Sequence, residues 1–336
     1  MKRAILSVST LRTRFWLWLP DRIDRRVRTM AWLSVVFQTV LIGTGGAVRL
    51  TASGLGCPTW PRCTADSFVT TQEMGLHGII EFGNRLLTFV LVIIAIAAFL
   101  SVVRMRKQRR DLFVLTFLQG LSIPFQAILG GITVLTGLNP YIVGIHFLVS
   151  IVLVALTTTL VFRVYRGPRR KEAGVPTWFA RIAHLTTALV AITVVVGILT
   201  TGSGPHAGDI DTPRNGLNAE FLQHLHSWPA YATFGLTVVL VTATFLPIFG
   251  LVRLRRVTLT LLAVEIVQII VGITQARLGL PELLVGIHMV LAAALVSAMT
   301  TTVLSLRTPR SPVASANAVS THLADSVPVG AERAKA

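Results

Sequence analysis

Charge is scarce in this chain. Only 13% of its 336 residues are Asp, Glu, Lys or Arg, against about a quarter in ordinary soluble domains, and that shortage excludes a globular protein of the aqueous phase. Acids are scarcer still, with 14 Asp and Glu against 31 Lys and Arg, for a formal net charge of +17. Cysteines number two, too few to staple a fold, although they leave room for one disulfide. What the chain has instead is apolar sequence, 53% hydrophobic at a mean hydropathy of +0.70. A basic excess can mark a nucleic-acid binder, but such proteins spread their bases over a polar surface. Here the bases lie in short clumps between long apolar runs, so no nucleic-acid partner is expected. The pattern is that of a chain crossing the lipid bilayer several times.

A span needs about 20 mostly apolar residues to cross roughly 30 Å of hydrocarbon. Eight are expected, at 30–49, 78–103, 112–136, 141–162, 179–200, 221–249, 257–279 and 283–305. If these alternate, the basic clumps in 1–28, in RMRKQRR (104–110), in 163–171, at Arg253, Arg255 and Arg256, and at Arg307 and Arg310 all fall on one side. The positive-inside rule then puts both termini in the cytoplasm, and the membrane expected is the cell (plasma) membrane. Residues 1–29 read as a basic cytoplasmic segment whose Trp16 and Trp18 suit an interfacial position, with no apolar core of signal-peptide length before the first span. Residues 164–178 read as a cytoplasmic linker and 307–336 as a disordered cytoplasmic tail.

The chain is also duplicated. QAILGGITVLTGLNPYIVGIHFLVS (126–150) matches QIIVGITQARLGLPELLVGIHMVLA (268–292) at a constant offset of 142, pairing the VGIH of His146 with the VGIH of His288. LTASGLGCP (50–58) resembles LTTGSGPHA (199–207) at a slightly different offset. Each half holds an even number of spans, so both halves share one orientation and should be related by a pseudo-twofold axis along the membrane normal. The expected fold class is all-α integral membrane, with eight helices in two pseudo-symmetric four-helix bundles, 30–163 and 179–306. The offset of 142 sets Asn84 opposite His226.

Ionisable residues inside a span are costly and are functional candidates. His146, His226 and His288 each lie little more than a turn inside the outer end of a span, and Glu81 and Asn84 lie at similar depth. His226 and His288 come from different helices, and two imidazoles facing a bundle interior can supply both axial ligands of a haem. The bland alternative for each is a histidine bonded to a neighbouring carbonyl. Zinc is disfavoured, because no HExxH or CxxC spacing occurs and no third ligand is evident. His224 points to another side of its helix. In the N-terminal half His146 lacks a matching second histidine. His77 shares a helix face with Glu81 and Asn84, so either His77 fills that place or the site has one protein nitrogen ligand. Glu81 could accept or relay protons, or simply pair with Arg85 at i+4. Cys57 and Cys63 in SGLGCPTWPRC read either as a staple holding the first outer loop over the N-terminal site or as a redox-active pair. Glu265 is expected beside a polar neighbour such as Gln268, His206 could touch a haem propionate, Asp209, Asp211 and Glu220 are expected to be solvated, and His184 and His322 are expected to be incidental.

Together RLTASGLGCPTWP (49–61), EFGNRLLT (81–88), TGSGPHAGD (201–209) and the two VGIH segments resemble the haem A synthase family, in this order and over about 30–305. The resemblance implies an oxidoreductase that converts a ring methyl of haem O to a formyl group, making haem A for haem-copper terminal oxidases. It implies a haem b cofactor in the C-terminal half on His226 and His288, and a substrate-haem ligand in His146 with His77 or Asn84 opposite. It also implies a functional acid in Glu81 and an outer-loop pair in Cys57 and Cys63. The departure is Asn84, where many members carry histidine in an E-x-x-H pattern. Partners implied are haem O, haem O synthase, cytochrome oxidase assembly factors and a second copy of the chain. Two other classes compete, a bis-histidine haem b electron-transfer subunit and a haem carrier or chaperone.

Overall fold

The computed structural model describes residues 13–168 and 174–307. Most of the proposed tail at 307–336, His322 within it, and much of the N-terminal segment and the linker lie outside the described residues. Among the described residues the chain is all helical, with no strand. Eight helices are long and apolar enough to cross a membrane, and the chain is a multi-pass membrane protein. We number them α1 (Arg25–Leu50), α2 (Gly75–Val102), α3 (Arg110–Leu135), α4 (Pro140–Arg166), α5 (Thr177–Ser203), α6 (Ala219–Phe245), α7 (Arg255–Arg277) and α8 (Glu282–Ser305).

Local chemistry sets the ends. Helix α1 starts ahead of the expected residue 30 because Asp24 caps it, accepting from the Val27 amide at 3.1 Å. Helix α4 is started by Asn139, which accepts from the Tyr141 and Ile142 amides, with Pro140 in the first turn. Helix α4 also runs on to Arg166, which shortens the proposed linker. Helix α6 stops at Phe245 and not at the expected 249. Pro247 follows, and the residue before a proline is pushed out of the helical region, as Leu246 is with ψ 112.

The turns into α4 and α8 repeat one construction. Gly137 and Leu138, like Gly279 and Leu280, take positive φ. Leu138 donates its amide to the Thr133 carbonyl and Leu280 to the Gln275 carbonyl, both at 2.8 Å. The same left-handed stop therefore delivers His146 and His288 at the same distance from their turns.

Helix α1 packs on α2 and α4, and α3 on α2 and α4; α5 packs on α6 and α8, and α7 on α6 and α8. Between these two sets, α1 and α4 lie against α8, and α4 lies against α5. Glycines allow the close approach. A Cβ at Gly144 would meet Ile198 of α5, and one at Gly286 would meet Leu50 of α1. These are the glycines of the two VGIH segments, so each motif packs its glycine on the other half of the chain. The buried apolar side chains form several clusters. One cluster joins Val27, Met105, Leu112 and Leu160, a second Phe179, Leu240, Leu251 and Leu254, and a third links the halves through Ile42, Ile151, Val154 and Ala293.

Candidate functional site

Three histidines point at glycines of the neighbouring helix. The His226 ring on α6 lies against Gly197 of α5, where a Cβ would sit 2.8 Å from His226 Cε1. The His288 ring on α8 lies against Gly272 of α7, and the His146 ring on α4 against Gly130 of α3, with corresponding distances of 3.1 and 3.3 Å. An added Cβ would force a shift at Gly197 and crowd the ring at Gly272 and Gly130. His226 donates from Nδ1 to the Thr193 carbonyl at 2.9 Å, which leaves the Nε2 lone pair free of that bond. The Nδ1 atoms of His146 and His288 are buried without a hydrogen-bond partner.

Glutamines brace the two VGIH histidines alike. Gln126 donates to the His146 carbonyl at 3.3 Å, and Gln268 donates to the His288 carbonyl at 3.2 Å. Gln268 Nε2 also lies 3.3 Å from His288 Nε2. The His226 and His288 rings are brought together, with centroids 6.3 Å apart and planes at 69°. His146 has no such partner ring among the described residues. Asn84 accepts from the Thr44 hydroxyl at 2.7 Å. His77 is exposed and is bonded through Nδ1 to Ser53 Oγ at 3.0 Å.

Glu81 is buried at 5% exposure. Its Oε1 accepts from Arg85 Nε at 3.1 Å and Nη2 at 2.5 Å, and its Oε2 accepts from the Cys57 amide at 2.6 Å. The i+4 ion pair expected from spacing is present, and it does more than pair. Arg85 also donates to the carbonyls of Cys57, Thr59 and Arg62. The pair thereby clamps the loop closed by the Cys57–Cys63 disulfide, whose two cysteines are fully buried. Trp60, at the middle of that loop, lies against Gly131, next to the glycine that seats His146.

The chain matches the family model COX15-CtaA, described as cytochrome oxidase assembly protein, over residues 28–300. The chain belongs to this family. Similar relatives are named Heme A synthase. Those of Listeria welshimeri serovar 6b and Listeria monocytogenes serotype 4a are each 30% identical over 146 residues, 42% of this chain and 46% of the relative. That of Geobacillus kaustophilus is 28% identical over 149 residues, 44% of this chain and 46% of the relative. The chain thus spans about half the length of the curated relatives it matches.

For a cytochrome oxidase assembly protein the donor set can be tested against a haem. Iron–nitrogen bonds of about 2 Å on opposite faces of one metal, with each ring centre about 1 Å behind its nitrogen, put two axial imidazole centres on the order of 6 Å apart. The His226–His288 spacing of 6.3 Å matches. A carbonyl that holds the other ring nitrogen, as Thr193 holds His226, is the usual support of a metal-bound imidazole. Buried ring nitrogens left without partners cost about 1–3 kcal/mol each, a cost that a ligand at the site can offset. A structural zinc fits less well, because the described residues hold no group of three His, Cys, Asp or Glu able to bind one.

Other expectations fare differently. Glu265 does not take Gln268 as its partner; it accepts from Thr237 on α6 at 2.8 Å, because its side chain crosses to the facing helix. His206 places Nε2 on the Leu280 carbonyl at 2.8 Å, so that nitrogen ties the α5–α6 loop to the α7–α8 turn. His184 is exposed. Sequence reasoning missed Gly130, Gly197 and Gly272 as ring seats, although two of them recur at the repeat offset. It also missed Arg49, which donates to the carbonyls of His206 and Thr201 and so joins α1 to the end of α5 and the α5–α6 loop.

Proposed function

We propose that this protein is a haem A synthase, an oxidoreductase of the cell membrane that converts a ring methyl of haem O into a formyl group. The observation that carries the reading is the set of three half-buried histidines, each on a glycine seat and two of them paired at 6.3 Å. The names of its relatives and its family support it.

In this reading the chain folds as two bundles of four helices, 30–163 and 179–306, related by a pseudo-twofold axis, with both termini cytoplasmic. His226 and His288 would hold a resident haem b. When bound there, haem b would supply one-electron transfer. Thr193 fixes the tautomer and the direction of the His226 ring. Gln268 braces the helix under His288.

The N-terminal half takes the substrate, haem O. His146 coordinates its iron, and the glycine at 130 lets the imidazole retract against α3. Asn84 offers an amide where the other half has His226, so the α2 side of the substrate is left without an imidazole. His77, bonded to Ser53, belongs in this reading to the wall of the outer loop. Glu81 is the acid at the level of the substrate, held by Arg85 and the Cys57 amide as a carboxylate able to accept a proton from the reacting edge. The Cys57–Cys63 loop, with Trp60, covers this side and keeps water from it. Haem O synthase would deliver the substrate, and cytochrome oxidase assembly factors would receive the product.

Pigment extraction decides the matter. The purified protein, expressed with and without a haem O synthase, should yield haem A or a hydroxylated haem O only with it. Haem b alone in both preparations would overturn the enzyme and leave an electron-transfer subunit.

A further inference from the structure

The C-terminal half buries a carboxyl that neither the histidine seats nor the outer-loop clamp uses. Glu265 on α7 is 3% exposed. Its Oε1 accepts from Thr237 Oγ1 at 2.8 Å, and its Oε2 is buried with no hydrogen-bond partner. One turn further along α7 is Gln268, which contacts His288. One turn back is Leu261, fully buried in an apolar cluster with Val190, Leu295, Ala298 and Met299. Glu265 therefore stands between the histidine pair and an apolar plug.

The duplication supplies a control. At the offset of 142, Glu265 corresponds to Ile123 and Thr237 to Ala95. In the N-terminal half these two pack with Leu91 in an apolar cluster. The same station of the fold is thus filled by hydrocarbon in one half and by a carboxyl with a hydroxyl donor in the other. Folding alone is served by the apolar pair. The polar pair accompanies the other difference between the halves, His226 in place of Asn84.

We propose that Glu265 is the proton-binding group coupled to electron transfer at the His226–His288 centre. When a one-electron reductant adds an electron there, the Glu265 carboxylate takes up one proton from solvent; when the electron leaves, the proton leaves with it. Each cycle moves one electron and one proton, so no net charge accumulates in a low-dielectric interior, where charges interact strongly and salt screens little. The orphan Oε2 suits the protonated form, because no donor faces it to oppose an O–H. The inference rests on the reading of His226 and His288 as axial ligands.

The surroundings leave few competitors. Helix α7 packs on α6, on α8 and on the turn Val252–Leu254. Their titratable and charged groups are Glu220, His224, His226 and Tyr231 on α6, Glu282 and His288 on α8, and Arg253 on the turn. Helix α7 itself adds Arg255, Arg256 and Arg277 at its two ends. Glu220, His224, Tyr231 and Glu282 are exposed, and Arg253 is bound to the carbonyls of Ser305 and Gly174.

The test is a potentiometric titration of the purified haem-containing protein, followed in the visible bands from about pH 5 to 9. The reduced state binds one more proton, so the wild-type midpoint should fall as pH rises, by at most 59 mV per tenfold change in proton concentration for a one-electron couple. Glu265→Gln keeps an acceptor for Thr237 and removes the proton, and should flatten that slope while the bands stay unchanged. Thr237→Val should move the pH at which the slope sets in without abolishing it. A flat wild type, or a slope unchanged in Glu265→Gln, overturns the proposal. If Glu265→Gln does not retain haem, Thr237→Val decides, and an unmoved onset overturns it. Failure of the underlying reading shows separately, as a bis-histidine spectrum that survives His226→Ala, and it ends the proposal too.

Discussion

Thr44 donates its hydroxyl to the Asn84 side chain at 2.7 Å, at the station where the Thr193 carbonyl holds His226 in the other half. The two threonines correspond in the register that pairs Leu50 with Leu199, and the two acceptor positions correspond at the offset of 142. The N-terminal half has therefore kept the interhelical contact and given up the ring.

Restoring the ring should restore the ligand. Asn84→His is expected to convert the substrate site to bis-histidine coordination, adding a second low-spin haem signal when haem O is supplied. Electron paramagnetic resonance of the purified variant checks this. A spectrum identical to wild type would show that Asn84 does not stand at the substrate iron.

The glycine seats should be intolerant of a methyl group. At Gly197 an added Cβ would lie 2.8 Å from His226 Cε1, so Gly197→Ala must push the imidazole off the Thr193 carbonyl. Overpacking of this kind costs about 1–3 kcal/mol. The low-spin spectrum should weaken and the thermal midpoint in detergent should fall. Gly235→Ala on the same helix as His226, with nothing within 4 Å, should change neither.

Glu81 and Arg85 should separate chemistry from architecture. Glu81→Gln is expected to keep the C-terminal haem and lose haem A formation; undiminished product would remove Glu81 from the reaction. Arg85→Ala leaves a buried carboxylate without its cation, a change that costs roughly 3–5 kcal/mol at buried pairs, somewhat less here because Arg85 is partly exposed. It also frees the carbonyls of Cys57, Thr59 and Arg62. Thiol alkylation after mild reductant should then become much faster at Cys57 and Cys63, both fully buried in the intact protein.

Arg49 should matter for stability without touching any of the three seated histidines. Arg49→Leu removes the side-chain donor from the carbonyls of His206 and Thr201; the Thr201 carbonyl keeps the Gly204 amide, so the loss is about 1–3 kcal/mol at the His206 carbonyl and less at Thr201. Thermal unfolding in detergent should shift down, while the spectrum of the C-terminal haem in the surviving folded protein stays as in wild type.

Much of the architecture could be read from residue order. Apolar runs of about 20 residues announce helices whatever their neighbours are, and the eight helices follow. The i+4 spacing of Glu81 and Arg85 is a property of one helix, so their ion pair could be anticipated, as could the recurrence of VGIH at offset 142. Glu265 shows where this fails. On its own helix the polar neighbour is Gln268, yet its hydroxyl donor is Thr237, 28 residues away on α6. No local periodicity encodes that choice.

By itself the sequence determined the class, the number of helices, the duplication and the cost of each ionisable group in the membrane, because these depend on composition and on spacing along one chain. The tertiary structure alone decided which groups meet. It put His226 beside His288, gave each inward histidine a glycine of another helix, and bound the disulfide loop to Glu81 through Arg85. The physical reason is that a glycine seat or a clamped carbonyl has no side-chain signature of its own. It becomes visible only when two helices approach closely enough for one to leave room for the other's ring.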